Sequence, residues 1–128
     1  MKAILLIDDH IIFAKIFAAY LLRTKFRNST LQSARDVYSA TEHLESKTFD
    51  LIVLDNRIPP HFNYVESVKL LISANWQGPI LLVSGDNVNV DTDVLENQYI
   101  RDFILKDDLN EHTLEQAIVK CLSFPSPK

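Results

Sequence analysis

The chain reads as an α/β domain built on a parallel sheet with helices on both faces, and three observations predict this. Short apolar runs alternate with stretches of helical period along the whole chain, in five units of strand then helix. The runs are almost continuously apolar, as in "LIVL" at 51–54, which is what strands buried on two faces require. With 128 residues, 47% hydrophobic and 23% charged, the chain also has the size and balance of one globular domain.

The first run, 3–7, is "AILLI", and it stops at the adjacent carboxylates Asp8 and Asp9. That is short of the roughly 7 to 15 residues of a signal h-region, so the segment is a strand. Ile12, Phe13, Ile16, Phe17, Tyr20 and Leu21 then recur at three- and four-residue spacing, the signature of an amphipathic helix. The apolar stretch 11–22 contains Lys15 and falls short of the ~20 residues needed to span a bilayer. A weak strand at 30–34 precedes a second helix marked by Val37, Ala40, Thr41 and Leu44, with Asp36 placed to cap it. Strands at 51–54, 80–83 and 102–105 follow, with helical stretches at 64–75, around 90–97 and 111–122, the last capped by Asn110. The domain is expected to run over 1–122, and the tail "SFPSPK", 123–128, reads as a loop or the start of a linker.

Charge and cysteine use narrow the class. Thirteen Lys and Arg against seventeen Asp and Glu give a net charge of −4, which supplies no general attraction to nucleic acid or an anionic membrane. Cys121, the single cysteine, can form no internal disulfide and is expected to pack as a small hydrophobe, in keeping with a reducing cytoplasm.

The chemistry lies where the strands end. Strand one exits into Asp8 and Asp9, strand three into Asp55, strand four into Ser84 and strand five into Lys106. In a parallel sheet every carboxyl end lies on one rim, so three carboxylates, a hydroxyl and an ammonium are expected to converge there. Acids clustered at a rim repel one another unless a hard divalent cation offsets the charge, and oxygen ligands suit Mg²⁺ better than zinc. A lysine close by, but not between the acids, then holds an incoming anion while the serine hydroxyl hydrogen-bonds one of its oxygens. This is an arrangement for phosphoryl transfer. Taken singly, the residues have plainer readings: a helix-capping acidic pair, a strand-end cap, a turn serine, a solvated lysine. Their joint occurrence on one rim carries the argument. His10, His43, His61 and His112 lack metal-ligand spacing and read as surface residues, with His10 at most a neighbour of the site.

"LLIDDH", "LIVLDNRIPP", "ILLVSGD" and "DFILKDD" occur in this order at separations that resemble the receiver domain of two-component response regulators, and in particular single-domain, chemotaxis-regulator-like receivers. The resemblance covers residues 2 to about 122. It implies a flavodoxin-like (βα)5 fold with a five-stranded parallel sheet in the order 2-1-3-4-5. Carried over by position, Asp55 is the phosphoacceptor and a ligand of Mg²⁺, Asp9 a direct ligand, and Asp8 a ligand mainly through water. The backbone carbonyl of Arg57 is a further ligand, Lys106 binds phosphate, and Ser84 and Phe103 are the hydroxyl and aromatic switch residues. The resemblance also implies a histidine kinase or phosphotransfer protein as donor, a downstream protein target, no direct nucleic-acid binding, no membrane insertion and a cytoplasmic location. It implies a signalling phosphoacceptor that promotes only its own phosphorylation and dephosphorylation, not an enzyme acting on an external substrate. Arg57 and Asp86, each two residues beyond a site residue, are expected to pair across the path of an attacking water and tune hydrolysis.

The sequence departs from the family pattern at three places. Asp107 stands where a proline commonly follows the lysine, which disfavours the cis peptide typical of that position. Asn63 replaces a glycine and tolerates a left-handed backbone better than most residues. "PPHFNY", 59–64, is bulkier and stiffer than the usual turn. The altered loop at Asp107 is the one support for an alternative, a receiver-like interaction module that is not phosphorylated. A Mg²⁺-dependent phosphohydrolase lacks a visible water-activating acid or base. A nucleotide-binding module lacks its glycine-rich loop, since Gly78 and Gly85 lie elsewhere.

Overall fold

The computed structural model describes residues 2–58, 63–86 and 98–123. The helix expected around 90–97, His61, most of "PPHFNY" and residues 124–128 lie outside these. In chain order the elements are β1 (Ala3–Ile7), α1 (Ile11–Leu21), β2 (Thr30–Ala34), α2 (Val37–Ser46), β3 (Leu51–Asp55), α3 (Tyr64–Ser73), β4 (Ile80–Ser84), β5 (Ile100–Leu105) and α4 (Glu111–Ser123). A 3-10 turn, Lys106–Asp108, joins the last two.

All neighbouring strands pair in parallel, in the order β2-β1-β3-β4-β5, the order the resemblance implies. Alternate residues of each strand divide between two cores, because successive side chains point to opposite faces. Ile4, Leu6, Leu51, Val53, Leu81, Val83 and Ile104 pack under α1 and α4 with Phe13, Phe17, Leu114 and Ile118. Leu5, Ile7, Ile52, Leu54, Ile80 and Leu82 pack against α2 and α3 with Val37, Ala40, Val68 and Leu71. Burial on both faces is the reason the central strands carry almost no polar residues before their carboxyl ends.

Both expected caps are present. Asp36 Oδ1 accepts from Ser39 N–H at 2.7 Å, and Asn110 Oδ1 accepts from His112 and Thr113 N–H at 2.9 Å. Two boundaries and one backbone conformation differ from the sequence reading. β5 begins at Ile100 rather than 102, because Ile100 pairs with Ile80 ahead of an irregularity in the ladder. Helix α3 stops at Ser73, short of 75, since Asn75 turns left-handed (φ 71°). There Trp76 N–H donates to Leu71 O at 3.0 Å and Asn75 N–H to Ile72 O at 2.9 Å, closing the helix in a Schellman motif. Asn63, by contrast, is extended (φ −153°) and caps α3 through Val65 N–H, so the tolerance for a left-handed backbone expected there is not used. Cys121 is buried and free, and burial followed by the nearby Asp102 carboxylate pushes its thiol up to about 12.

The apolar stripe of α1 divides in two. Phe13, Phe17 and Leu21 face the sheet, while Ile12 is 74% exposed and Ile16 also faces outward. Among the described residues no helix is long and apolar enough to cross a membrane. Phe17→Ala is expected to cost about 3–5 kcal/mol in urea unfolding, because the ring is fully buried and its loss leaves a cavity in the core. Ile12→Ala on the same helix is expected to stay within about 0.5 kcal/mol of wild type. Equal costs for the two would refute the assignment of faces.

Candidate functional site

The strand exits meet as the parallel topology requires. Asp8 follows β1 directly, with its N–H bonded to Ala34 O at 3.0 Å, so the β2 edge holds its backbone. Asp55 is the last residue of β3 and pairs in register with Val83 of β4. Ser84 ends β4, and Lys106 opens the 3-10 turn after β5. An open cleft is lined by His10, Phe13, Asp55, Arg57, Ser84, Gly85, Asp86 and Lys106.

The Asp8 side chain is 0% exposed and the Asp9 side chain 31%, so the pair is unequal. Asp8 Oδ1 accepts from His10 N–H at 2.7 Å, a short turn that holds the carboxylate at the rim. Lys106 Nζ sits 2.9 Å from Asp8 Oδ2 and 3.5 Å from Asp55 Oδ2, and lies 4.3 Å above the centre of the Phe13 ring. The lysine therefore stands between two acids, contrary to the expectation that it lies beside them. Two carboxylates drawn out of water at one rim attract the ammonium, and the face of the Phe13 ring attracts it as well. Although 2.9 Å is close, the contact is not aligned as a hydrogen bond, and Asp8 Oδ2 and Asp9 Oδ1 are buried oxygens without a hydrogen-bond donor.

Burial first, and the neighbouring Asp8 carboxylate second, raise the Asp55 carboxyl to about 6 against the opposing pull of Lys106 and His10. Ser84 is buried, and its hydroxyl oxygen accepts from Asp86 N–H at 3.1 Å. The guanidinium of Arg57 lies 3.5 Å from the Asp86 carboxylate, both well exposed, which is the pair expected from their spacing. Phe103 is half-buried and pairs in register with Leu82, two residues before Ser84, so it occupies the same sheet face as the serine.

Three residues escaped the sequence reading. His10 is not merely a neighbour, since its ring nitrogen Nδ1 lies 3.0 Å from Asp8, 3.2 Å from Asp9 and 3.7 Å from Asp55. Phe13 walls the lysine; its place four residues beyond Asp9 on the inward face of α1 was the available signal. Buried Asn56 donates its N–H to Val83 O at 2.9 Å and accepts from Tyr64 N–H at 3.0 Å, which ties the loop after Asp55 to the start of α3. His43 and His112 sit on α2 and α4, outside the cluster.

Ligand atoms from Asp8, Asp9, His10 and Asp55 all lie within 4.8 Å of one another. Buried carboxylate oxygens that lack donors fit a divalent cation, whose two charges would offset what one lysine leaves uncompensated. The residues present thus suit a divalent cation held mainly by carboxylate oxygen, with one ring nitrogen within reach.

A parallel, doubly wound sheet with this acidic carboxyl-end rim defines a class of α/β domain, and the comparisons name the family within it. A family model described as "Response regulator receiver domain" matches residues 4–119, so the chain belongs to the response regulator receiver domain family. Solved structures agree on the fold. The signal receiver domain of an HD domain-containing protein from Pseudomonas fluorescens Pf-5 superposes with TM-score 0.78 at 20% identity, covering 95% of this chain and 94% of that one. A two-component response regulator from Clostridium difficile gives 0.74 at 22% identity, with 96% of each chain covered. The response regulator TrrA from Thermotoga maritima, solved in complex with Mg(2+)-BeF, gives 0.74 at 20%, covering 95% of this chain and 100% of that one. Among curated proteins, none matches.

The raised Asp55 carboxyl has a consequence for stability. Its folded value, about 6, exceeds the ordinary 3.8, so the folded state holds the proton more tightly than the unfolded chain. The stability this contributes is complete below pH 3.8 and is lost as pH rises through about 6. Without divalent cations, Asp55→Asn is expected to be more stable than wild type by about 1–2 kcal/mol at pH 7.5, with the difference shrinking toward pH 4. Thermal unfolding across that range measures it, and a pH-independent difference would remove the electrostatic account.

Proposed function

We propose that this receiver domain is a signalling switch whose Asp55 accepts a phosphoryl group from a phosphohistidine donor in a Mg²⁺-dependent reaction. One observation carries the reading: the buried Asp55 carboxylate shares its rim with Asp8 and with the Lys106 ammonium, 3.5 Å away, in a cleft open to solvent. Family membership and the Mg(2+)-BeF complex of TrrA support it. Receiver domains interact with histidine kinases and downstream effectors; here a kinase or phosphotransfer protein is the proposed donor and a protein the proposed target.

A carboxylate oxygen of Asp55 attacks phosphorus, an acyl phosphate bond forms, and the P–N bond to the donor imidazole breaks. Asp9 directly, Asp8 mainly through water, Asp55 and the Arg57 carbonyl would hold Mg²⁺. Bound there, the ion supplies positive charge to the carboxylates and to the phosphoryl oxygens. Lys106 exchanges its contacts with Asp8 and Asp55 for a phosphoryl oxygen, and Ser84 turns its hydroxyl from Asp86 N–H to donate to another. Phe103, on the same face as Ser84, then repacks, and the change is read by a partner on the surface around β5. Asp107 does not displace the machinery, since the 3-10 turn it enters keeps Lys106 within reach of both acids. No external substrate is turned over, and the reading places the domain in the cytoplasm.

Incubated with Mg²⁺ and acetyl phosphate, the protein is expected to gain one phosphoryl group by intact mass, and Asp55→Asn or chelation of Mg²⁺ to prevent it. A wild type left unmodified by small donors and by histidine kinases would overturn the proposal. The Arg57–Asp86 pair is exposed and worth at most about 1 kcal/mol to folding, so its effect belongs in kinetics. Arg57→Ala is expected to shorten the phosphoryl half-life; an unchanged or longer one removes the shielding role. Ser84→Ala is expected to be phosphorylated yet to show smaller amide shifts at Phe103 than wild type, and equal shifts would dissociate Phe103 from the switch.

A further inference from the structure

His10 is the residue of the rim that the proposed function leaves without a task. It occupies the N-cap position of α1, where an oxygen-bearing side chain would bond the first free N–H groups, but its ring makes no capping bond. Nor does the ring pack into a core, being 63% exposed. Its nitrogen Nδ1 is instead aimed at the acids, 3.0 Å from Asp8 Oδ1, 3.2 Å from Asp9 Oδ1 and 3.7 Å from Asp55 Oδ2. The four ligand atoms fall within 4.8 Å of one another, close to the about 4.2 Å that separates opposite ligands of a small octahedral cation. Asp8 is fully buried, and its Oδ2, at the same rim, has the Lys106 ammonium at 2.9 Å but no aligned hydrogen bond; Asp9 Oδ1 lacks a hydrogen bond as well. These oxygens point to a cation of more than one charge.

We propose that His10 Nδ1 is a protein ligand in this seat, so that the site prefers a borderline divalent transition ion of the cobalt or nickel type to Mg²⁺. The inference rests on the cation seat of the proposed function and adds its selectivity. Oxygen-only sites suit Mg²⁺, whereas one imidazole in the set favours the later first-row ions, whose bonds to nitrogen are stronger. In the metal-free ring the hydrogen between Nδ1 and Asp8 Oδ1 belongs on Nδ1; in the ligated ring it moves to Nε2, and Nδ1 presents its lone pair. The Asp8 carboxylate, bonded to His10 N–H at 2.7 Å, holds the backbone so that the ring stays over the seat.

Calorimetric titration of untagged full-length protein with Mg²⁺ and with Ni²⁺ tests this, alongside His10→Ala, His10→Gln and Asp9→Asn, with Co²⁺ absorption as a second readout. Because His10 is exposed and makes no core contact, its variants are expected to fold as wild type by circular dichroism. His10→Ala and His10→Gln are expected to weaken Ni²⁺ on the order of ten-fold or more, to weaken Mg²⁺ less than about two-fold, and to shift the Co²⁺ spectrum. Asp9→Asn is expected to weaken both ions. Nickel affinity unchanged in the His10 variants, an equal loss for both ions, or nickel binding indifferent to Asp9→Asn would each overturn the inference. Mg²⁺ binding that needs Asp9 while nickel ignores His10 would remove the histidine alone and leave the proposed function standing. Failure of wild type to bind either ion would overturn both.

Discussion

Everything at the rim depends on the repulsion between the carboxylates of Asp8 and Asp55, held together out of water with a single lysine between them. Asp8 is wholly buried and Asp55 nearly so, which makes their charges costly, and Asp8 Oδ2 has no hydrogen bond. Lys106 relieves part of this cost and Asp55 retains the rest as a carboxyl raised to about 6. A rim in this condition is responsive, because any added cation or transferred anion changes which charges lie in contact and thereby moves the lysine. Folding energy comes from elsewhere, namely the two apolar layers under α1 and α4 and under α2 and α3.

The scaffold makes that charge arrangement possible by fixing backbone rather than side chains. Asp8 is held by its bond to Ala34 O, Asn56 by bonds to Val83 O and from Tyr64 N–H, and Asp55 by the β4 register. Strands with a complete hydrogen-bond ladder on both sides cannot drift, so the carboxylates remain together despite their repulsion. The side chains that are expected to move, Ser84, Lys106 and Phe103, are those with few or exchangeable contacts. Ser84 holds a backbone N–H through its hydroxyl, Lys106 touches two acids without hydrogen-bond alignment to Asp8, and Phe103 is only half-buried.

His10 shows how a local rule can be overridden. An N-cap position usually recruits its own side chain to the helix, yet here Asp8 takes the His10 N–H and leaves the imidazole free to face the acids. The arrangement costs α1 a cap, a loss of about 1 kcal/mol, and it occurs at the entrance of the site rather than on a plain surface helix.

The alternation of two-sided apolar strands with amphipathic helices sufficed to specify the layers, and the polar residues ending each strand sufficed to specify the rim, because a parallel sheet admits one location for all its carboxyl ends. Asp36 and Asn110 were legible as caps for the same local reason. The helix end at Asn75, the extended backbone at Asn63 and the early start of β5 were not, since each is set by how neighbouring elements meet. Spacing along the chain placed Arg57 near Asp86 but could not place Lys106 between Asp8 and Asp55, or His10 over all three acids. The contacts of Lys106, and that of His10 with Asp55, join residues tens of positions apart, and their distances are decided by strand register and by the balance of charge at the rim, neither of which is written in any one segment.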